Sequence, residues 1–435
     1  MKNLKYYIIG GIGIAIIAIV LIIFGVLPGG KTSKKQVIKL QMWGIDEPKT
    51  YQVMAANFRK NFPQINVVYT QKRKETYEAE LFDSFLNQKA PDIFMIENTW
   101  VPRYFNRLSP APDTILNSKE FKTRILEGAA NEFLANQKVI GMPIYVDTLG
   151  MFYNDTLLKS AGFIAPPQDW FEFLTVVRAI TKKDRALNLE ISGTALGLTE
   201  NINNAADILE LLMLQTGLEM IDPAGKTIFH QTLKFDDQPF KAGATALNFY
   251  SHFANPTQNN YSWNKNLPNA IQGFIQGRVG IIFDYSSLIS ELGKLAPKFS
   301  FKTAVFPEVK ESNFKINLTR FMAPTVSIYS KNPGAAWQFL KYLSEPETNE
   351  YYISQFQRPT SLNALYNKQL GSSSTILEPF VRQGLTAKNF YQFDNNQVEN
   401  LFKDMINQVL DGKDSYDNII NRGAARLDQL MKVTP

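Results

Sequence analysis

Residues 37–70, VIKLQMWGIDEPKTYQVMAANFRKNFPQINVVYT, contain the clearest secondary-structure pattern in the chain. Residues 37–43 alternate apolar and polar side chains, as a half-buried β-strand does. Between Tyr51 and Phe62 the apolar side chains recur at helical spacing and predict a helix with one core-facing stripe. Residues 65–70 then predict a second strand, so the stretch forms a strand–helix–strand unit.

A third strand follows, because residues 92–96 form a short apolar run typical of a strand buried on both faces. Between the second and third strands, residues 77–88 have helical periodicity. This order of elements predicts a parallel sheet. In open sheets of this kind ligands bind just beyond the carboxyl ends of the strands, which here are residues 43–47 and 97–100.

The rest of the chain alternates helices and strands, so the predicted class is α/β throughout. The chain has 435 residues, which exceeds the roughly 250 to 300 residues of a single hydrophobic core, and two lobes are expected. Helical periodicity marks residues 167–181, 203–216, 243–253, 333–343 and 397–410. The clearest strands are residues 139–145, 149–153, 279–283, 301–306 and 322–328.

The N-terminal region contains twenty consecutive uncharged residues, Ile8 to Leu27. Spanning a bilayer takes about 20 helical residues, whereas the apolar region of a cleaved signal peptide has about 7 to 15. The end of the run, Val26 to Pro28, offers no small-residue cleavage site. We therefore expect an uncleaved, single-pass transmembrane helix within an anchor and linker of residues 1–35. Lysines on both sides of the run leave its orientation open.

The net charge of +6 belongs almost entirely to the N-terminus. Residues 1–35 contain five lysines and no acidic residue, which leaves 41 basic and 40 acidic residues in the remainder. A nearly neutral body without a basic, aromatic-rich run argues against nucleic-acid binding. The absence of cysteine excludes a lipid-modified N-terminal cysteine, and two histidines argue against a histidine metal cluster. The sequence has no HExxH, Walker or GxSxG motif, so no cofactor, metal site or catalytic residue is predicted.

Four further segments occur in the order and spacing of a known protein family. They are VIGMPIYVDTLGMFYND (residues 139–155), AGFIAPPQDWFEF (161–173), FIQGRVGIIFDY (274–285) and IYSKNPGAAWQFLKYL (328–343). From about Val37 to its C-terminus, the chain resembles the extracellular solute-binding proteins of ABC importers, the family that includes the maltose-binding proteins. Asp169 stands where the family usually has Thr, which is a mild difference because both residues cap helix N-termini.

The resemblance implies a periplasmic-binding-protein-like type II fold, with two discontinuous α/β lobes and a ligand cleft between them, in addition to the N-terminal transmembrane helix. By this analogy, lobe one comprises residues 36–145 and 307–345, and lobe two comprises residues 146–306 and 346–435. The implied function is that of an extracytoplasmic solute-binding protein, which captures a small polar solute such as a sugar or oligosaccharide by closing its lobes. The implied partners are the permease subunits of an ABC importer with its cytoplasmic ATPase, and the binding protein is expected to be a monomer at the cell membrane.

A sugar-binding site needs aromatic rings for the C–H faces of the ligand and polar side chains for its hydroxyl groups. The strand ends and the first crossover between the lobes supply Trp43, Asp46, Glu47, Glu97, Asn98, Trp100, Tyr145 and Asp147. The resemblance adds Asp284, Tyr285, Arg358 and Tyr366, and Trp263 is a candidate because it lies in a polar loop. Asp147 matches the family's acidic ligand-contacting position, whereas Asp284 and Tyr285 stand where sugar binders often have Gly-x-Trp.

Several of these candidates have a structural alternative. Asp46 is equally compatible with the cap of the first helix. Trp43 and Trp100 are compatible with core positions at the ends of strands. Arg358 is compatible with a surface charge, and Trp263 with a surface for a protein partner.

Two other functions would use the same features. Asp46, Glu47, Glu97 and Asp147 near one cleft are compatible with a surface glycoside hydrolase, which needs two carboxyl groups about 5 to 9.5 Å apart. A sensor or adhesion module could use the same fold without a permease. The favoured interpretation is capture of a solute without catalysis.

Overall fold

The computed structural model describes residues 37–235, 238–310, 315–372, 376–390, 392 and 394–432. The predicted anchor, residues 8–27, lies outside these ranges. Within them, no helix combines the length and the apolar character that crossing a membrane requires.

The described residues form strands and helices that are numbered here in chain order. The strands are β1 Ile38–Gly44, β2 Ile65–Gln71, β3 Ile93–Glu97, β4 Leu134–Ala135, β5 Lys138–Val139, β6 Leu149–Tyr153, β7 Lys182–Lys183, β8 Leu189–Thr194, β9 Leu233–Phe235, β10 Gln238–Phe240, β11 Val279–Tyr285, β12 Lys302–Ala304, β13 Asn317–Leu318, β14 Met322–Val326 and β15 Ala387–Lys388. The helices are α1 Pro48–Asn61, α2 Lys74–Leu86, α3 Val101–Tyr104, α4 Ser118–Arg124, α5 Glu127–Glu132, α6 Asp155–Ser160, α7 Trp170–Ile180, α8 Ala205–Leu214, α9 Ala242–Ser251, α10 Ala270–Ile275, α11 Ser287–Leu295, α12 Pro333–Leu343, α13 Pro346–Phe356, α14 Asn363–Ser372, α15 Glu378–Gln383, α16 Asn395–Leu410 and α17 Tyr416–Lys432.

The first sheet has the strand order β14-β3-β1-β2. β1 pairs in parallel with both β2 and β3, and Leu40 lies opposite Val67. The predicted parallel arrangement of residues 37–96 is therefore confirmed, and β14 joins the sheet antiparallel to β3. Tyr51 and Phe58 on α1 are buried in the core of this sheet, as their helical spacing predicts.

The second sheet has the strand order β12-β6-β11-β8-β7. β6 lies antiparallel between β11 and β12, and β11 runs parallel to β8. The strands predicted at residues 149–153 and 279–283 are β6 and most of β11. A side chain at Gly193 in β8 would collide with the backbone of Val177 on α7, so glycine allows this helix to pack directly on the sheet.

Each sheet is surrounded by its own hydrophobic core. The first core, around the first sheet, includes Trp337 and Phe339 from α12. The second core, around the second sheet, includes Trp263 and also Phe402 from α16. Two separate cores agree with the expectation from chain length that one core would not suffice.

The points at which the chain crosses between the cores differ in part from the predicted lobe boundaries. The first crossover lies at residues 145–149, close to its predicted position, and the second lies at residues 318–321. The family resemblance implied that residues 346–435 belong to lobe two, but Tyr352 on α13 and Leu362 before α14 are packed in the first core. The third crossover therefore follows α14, because the apolar faces of α13 and α14 cover the first core.

Candidate ligand-binding cleft

A cavity of about 420 Å³ lies between the two cores, and its size is within the usual range of about 300 to 1,000 Å³ for small-molecule sites. The ends of β1 and β3 and the start of α2 form one wall, and the ends of α8, β11 and α16 nearest the cleft contribute to the other. The lining residues are Ile45, Lys74, Tyr77, Glu78, Glu97, Trp100, Tyr145, Asp147, Asn203, Asn204, Ala206, Asp207, Glu210, Tyr285, Ser287, Arg320, Phe321, Met322, Arg358, Gln392, Asn395, Asn396, Val398, Glu399 and Phe402.

Six of the thirteen predicted site residues line this cavity. They belong to separate elements that meet there. Glu97 and Trp100 do so because the carboxyl ends of the parallel strands β1 and β3 lie at the same edge of the first sheet. The six residues are Glu97, Trp100, Tyr145, Asp147, Tyr285 and Arg358.

Asp147 lies on the first crossover and is held by the start of α11. The backbone N–H groups of Ser286 and Ser287 donate hydrogen bonds to its two carboxylate oxygens at 2.7 and 3.3 Å. The side chain is almost completely buried, and burial raises the pKa of the Asp147 carboxyl to about 6, against the opposing effect of these hydrogen bonds. Asp147 therefore ties the crossover to the second core at the cavity wall.

Glu97, at the end of β3, connects the two sides of the cleft. Its Oε1 accepts hydrogen bonds from the Thr99 hydroxyl at 2.8 Å and from the Asn395 side-chain amide at 2.7 Å. Asn395 is the first residue of α16, which packs in the second core. Burial raises the pKa of Glu97, although the nearby Arg320 guanidinium lowers it.

Three of the predicted residues bring aromatic rings to the cavity lining. The Tyr145 hydroxyl accepts a hydrogen bond from the Met322 N–H at 3.0 Å, and the Tyr285 hydroxyl donates one to Asp207 at 2.7 Å. The Trp100 indole Nε1 has no hydrogen-bond partner among the described residues. Hydrogen bonds thus hold Tyr145 and Tyr285 in place, and all three rings offer flat faces on which the C–H groups of a ligand can pack.

Arg358 lines the cavity, and Asp46 lies behind it as its ion-pair partner. The guanidinium makes two hydrogen bonds to the Asp46 carboxylate, at 2.8 and 3.0 Å, and the Tyr352 hydroxyl donates a third at 2.9 Å. The same guanidinium lies 4.2 Å from the centre of the Tyr145 ring. Asp46 is therefore neither a lining residue nor the cap of α1; the cap position is Glu47.

Three predicted residues near the first sheet also lie outside the lining. The Trp43 ring packs beside the first core with the Lys72 ammonium 3.8 Å from its centre, because alternation along β1 turns it away from the buried Met42. Glu47 is exposed to solvent. Asn98 is fully buried, and its side-chain oxygen accepts a hydrogen bond from a backbone N–H in the segment before β14.

Three more predicted residues are part of the protein interior or a helix surface. The expectation of an exposed Trp263 is wrong: the ring is fully buried in the second core, and its Nε1 donates to the Asn201 side chain at 2.8 Å. Asp284 precedes Tyr285 in β11, where strand alternation directs it away from the lining, and burial raises its pKa to about 7. Tyr366 is half-buried on α14, which packs against α4 and α15 away from the cavity.

The cavity contains a charged cluster of which only Glu97 was predicted from the sequence. The Arg320 guanidinium lies 2.8 Å from the Glu210 carboxylate, 3.4 Å from Asp207 and 3.9 Å from Glu97. Burial raises the pKa of Glu210, while Arg320 lowers it. Within the described ranges, no set of three or more acidic or histidine side chains is placed to hold a metal ion.

The sequence did contain a signal for this cluster. Asp207 and Glu210 are three residues apart on α8, so they share one face of a helix whose other residues are almost all apolar. Two carboxyl groups on an otherwise apolar helix indicate a buried polar site, because burying a charged group without a partner is unfavourable. In the same way, one face of α16 lines the cavity and carries Asn395, Glu399 and Phe402.

A family model for bacterial extracellular solute-binding proteins matches residues 53–375. The chain belongs to this family. The prediction that it binds a solute is therefore confirmed, and the family comprises binding proteins rather than enzymes. The main domain of this solute-binding protein works outside the cytoplasm.

Individual relatives of this solute-binding protein are distant in sequence and close in fold. A multiple sugar-binding protein of Streptococcus mutans is 23% identical over 279 residues, which are 63% of each chain, so the match spans less than two thirds of that relative. The cyclic α-maltosyl-1,6-maltose binding protein of Arthrobacter globiformis superposes with a TM-score of 0.75 at 17% identity, covering 92% of this chain and 100% of that one. An ABC transporter solute-binding protein of Thermotoga lettingae, bound with α-D-tagatose, gives a TM-score of 0.71 at 19% identity, with coverages of 91% and 100%. At these identities the two structures establish the shared fold.

Proposed function

We propose that this solute-binding protein captures a sugar or oligosaccharide in the cleft between two lobes and delivers it to an ABC importer. We infer that the first core with its sheet forms lobe one, including α13 and α14, and that the second core with its sheet forms lobe two. The names of the Streptococcus, Arthrobacter and Thermotoga proteins support a saccharide as the ligand.

The observation that carries this proposal is a cavity whose walls come from both cores and combine aromatic rings with carboxyl groups. Trp100 and Tyr145 on one side and Tyr285 on the other provide ring faces, while Glu97 and Asp147 accept hydrogen bonds from ligand hydroxyl groups. A ligand that touches both walls is fully bound only when the walls are close together. Binding therefore favours the closed arrangement of the lobes.

The test is a thermal-shift screen of the full chain against mono- and oligosaccharides, polyols, peptides and phosphates. A ligand that binds only the folded chain raises the unfolding midpoint by mass action, and at least one saccharide is expected to do so. Calorimetry on the same saccharide gives the affinity, and an assay for new reducing ends is expected to remain at background. A panel without any saccharide response, or steady release of reducing ends, contradicts capture of a saccharide without catalysis.

Delivery to an importer requires the protein to stay close to its permease. Residues 8–27 are long and apolar enough to serve as a single-pass tether, with the main domain outside the cytoplasm and the protein acting as a monomer. We expect the full chain to remain in the membrane pellet after alkaline extraction, and a variant without residues 1–35 to be released.

Three further experiments test the orientation, the oligomeric state and the partners of the protein. External protease should degrade the main domain in intact spheroplasts, and light scattering should give the mass of one chain. Crosslinking in the membrane should capture permease subunits.

A further inference from the structure

Most charged side chains at the margins of the cavity already have a partner of opposite charge. The Glu78 carboxylate lies 2.6 Å from the Arg103 guanidinium. The Arg358 guanidinium is neutralised from behind the cavity wall by Asp46, at 2.8 Å. Glu399 is ion-paired along α16 with the lysine four residues later. These pairs contribute little net charge to the cavity.

The centre of the cavity has an excess of carboxyl groups. Glu97, Asp207 and Glu210 are grouped around the single guanidinium of Arg320, at 3.9, 3.4 and 2.8 Å. Asp147 adds a fourth carboxyl group, which is held by backbone N–H groups at 2.7 and 3.3 Å. Lys74, at the start of α2, is a further cation on the lining. The four central carboxyl groups still outnumber Arg320 and Lys74, so negative charge is in excess where the two walls meet.

One of these carboxyl groups also has an unused acceptor atom. Glu210 is 2% exposed, and its Oε1 has no hydrogen-bond donor among the described residues. A buried acceptor without a donor is unfavourable, so a ligand that supplies a donor gains affinity there. A charged donor forms a shorter and stronger hydrogen bond to a carboxylate than a hydroxyl group does. Burial also raises the pKa of Glu210, and a bound cation would stabilise its ionised form.

We propose that the cleft prefers saccharides that carry protonated amino groups over neutral saccharides and selects against anionic ones, with Glu210 and Asp207 receiving the ammonium group. This inference rests on the proposed capture of a saccharide. A neutral hydroxyl group can donate hydrogen bonds to the same carboxylate oxygens, but it gains no electrostatic attraction from the excess negative charge. A ligand carboxylate is repelled by that charge at short range, and Arg320 is already shared among three carboxyl groups.

The direct test compares three tetrasaccharides with the same β-1,4-linked glucose backbone: the glucosamine tetramer, cellotetraose and the glucuronate tetramer. They are titrated into the full chain by calorimetry at a pH at which the amine is protonated. The glucosamine tetramer is expected to bind at least about tenfold more tightly than cellotetraose, and the glucuronate tetramer most weakly. The charge preference is overturned if the first two bind with equal affinity, if the glucuronate tetramer binds most tightly, or if none of the three binds. The preference alone fails if neutral saccharides bind as well as amino saccharides, whereas saccharide capture fails only if no saccharide of the wider screen binds.

Two substitutions test whether the central carboxyl groups cause the preference for amino saccharides. Glu210→Gln keeps the side-chain size and removes the charge, and it is expected to lower the ratio of glucosamine to cellotetraose affinity by about tenfold. Asp207→Asn provides the same test at a more exposed position if the first variant folds poorly. The matched control is Glu120→Gln, a carboxyl group paired with Arg124 and Lys341 outside the cavity, which should leave the ratio unchanged. Unchanged ratios in both cavity variants overturn the assignment.

Discussion

The Arg320 guanidinium and the Glu210 carboxylate form an ion pair of 2.8 Å between the segment that precedes β14 and helix α8. β14 belongs to the first sheet, whereas α8 packs in the second core. The pair therefore connects the two sides of the cleft at the position where a ligand would lie. Its charges influence both ligand selection and the stability of the closed arrangement.

Removal of Arg320 should be far more damaging than removal of a surface cation. Arg320→Ala leaves the almost completely buried Glu210 without a cation and is expected to lower the free energy of unfolding by about 3 kcal/mol. Denaturant unfolding of the full chain measures this change. The control Lys138→Ala removes one partner of an exposed pair with Asp113 and should change stability by less than about 1 kcal/mol. Equal losses in the two variants would contradict a structural role of the buried pair.

Trp43 and Trp100, two of the three tryptophans predicted at the site, should behave differently. Trp100→Ala removes a ring from the cavity wall and is expected to weaken saccharide affinity by about 1 to 2 kcal/mol, roughly five- to thirtyfold. Trp43→Ala should leave the affinity unchanged, because that ring packs under Lys72 outside the lining. Calorimetry with the saccharide that gives the largest thermal shift distinguishes the two. A large loss of affinity in Trp43→Ala alone would place the site elsewhere.

Asp46 should affect binding through the position of Arg358. Asp46→Asn removes the charge that holds the guanidinium in a bidentate contact, and a roughly tenfold loss of affinity is expected. Arg358→Lys should show a similar loss, because an ammonium group cannot reproduce the two parallel hydrogen bonds. If Asp46 acts through Arg358, the double variant should be no worse than either single one. Additive losses in the double variant would show that the two side chains act independently.

Stability should depend on pH through Asp147. The pKa of this carboxyl is raised by burial from 3.8 to about 6, so the folded state binds the proton more tightly than the unfolded state does. Its contribution to the free energy of unfolding is therefore largest below about pH 4 and falls, by up to about 3 kcal/mol, as the pH rises to about 6. Asp147→Asn should flatten this part of the profile, measured by urea unfolding at a series of pH values. An identical slope in the variant would show that Asp147 does not have a raised pKa.

The first sheet was predictable because its signals are local. Alternation in residues 37–43 and helical spacing from Tyr51 each act over a few residues, and the parallel pairing of β1 and β2 follows from the helix between them. The same reasoning located Glu97 and Trp100, since the carboxyl ends of β1 and β3 lie at one edge of the sheet. Asp147 and Tyr285 came from the family resemblance and also line the cavity.

The charged centre of the cavity was not predictable from local patterns. Arg320 and Glu210 are 110 residues apart, and their contact depends on how α8 is rotated against the second sheet. Trp263 was misplaced because the polar residues around it suggested exposure, whereas Asn201, from a distant segment, supplies a hydrogen-bond partner inside the core. The third crossover was misplaced because apolar helix faces do not specify which of two cores they cover.

Closure of the two walls on a ligand can be measured as the distance between spin labels on opposite sides of the cleft. The chain has no cysteine, so Lys89→Cys after α2 and Lys294→Cys on α11 introduce two specific, exposed labelling positions. We expect the best-binding saccharide to convert the distance distribution into a single narrow population, and Glu210→Gln with Trp100→Ala to shift this conversion to higher saccharide concentrations. A distribution that stays the same with every saccharide of the screen would contradict capture between two closing walls.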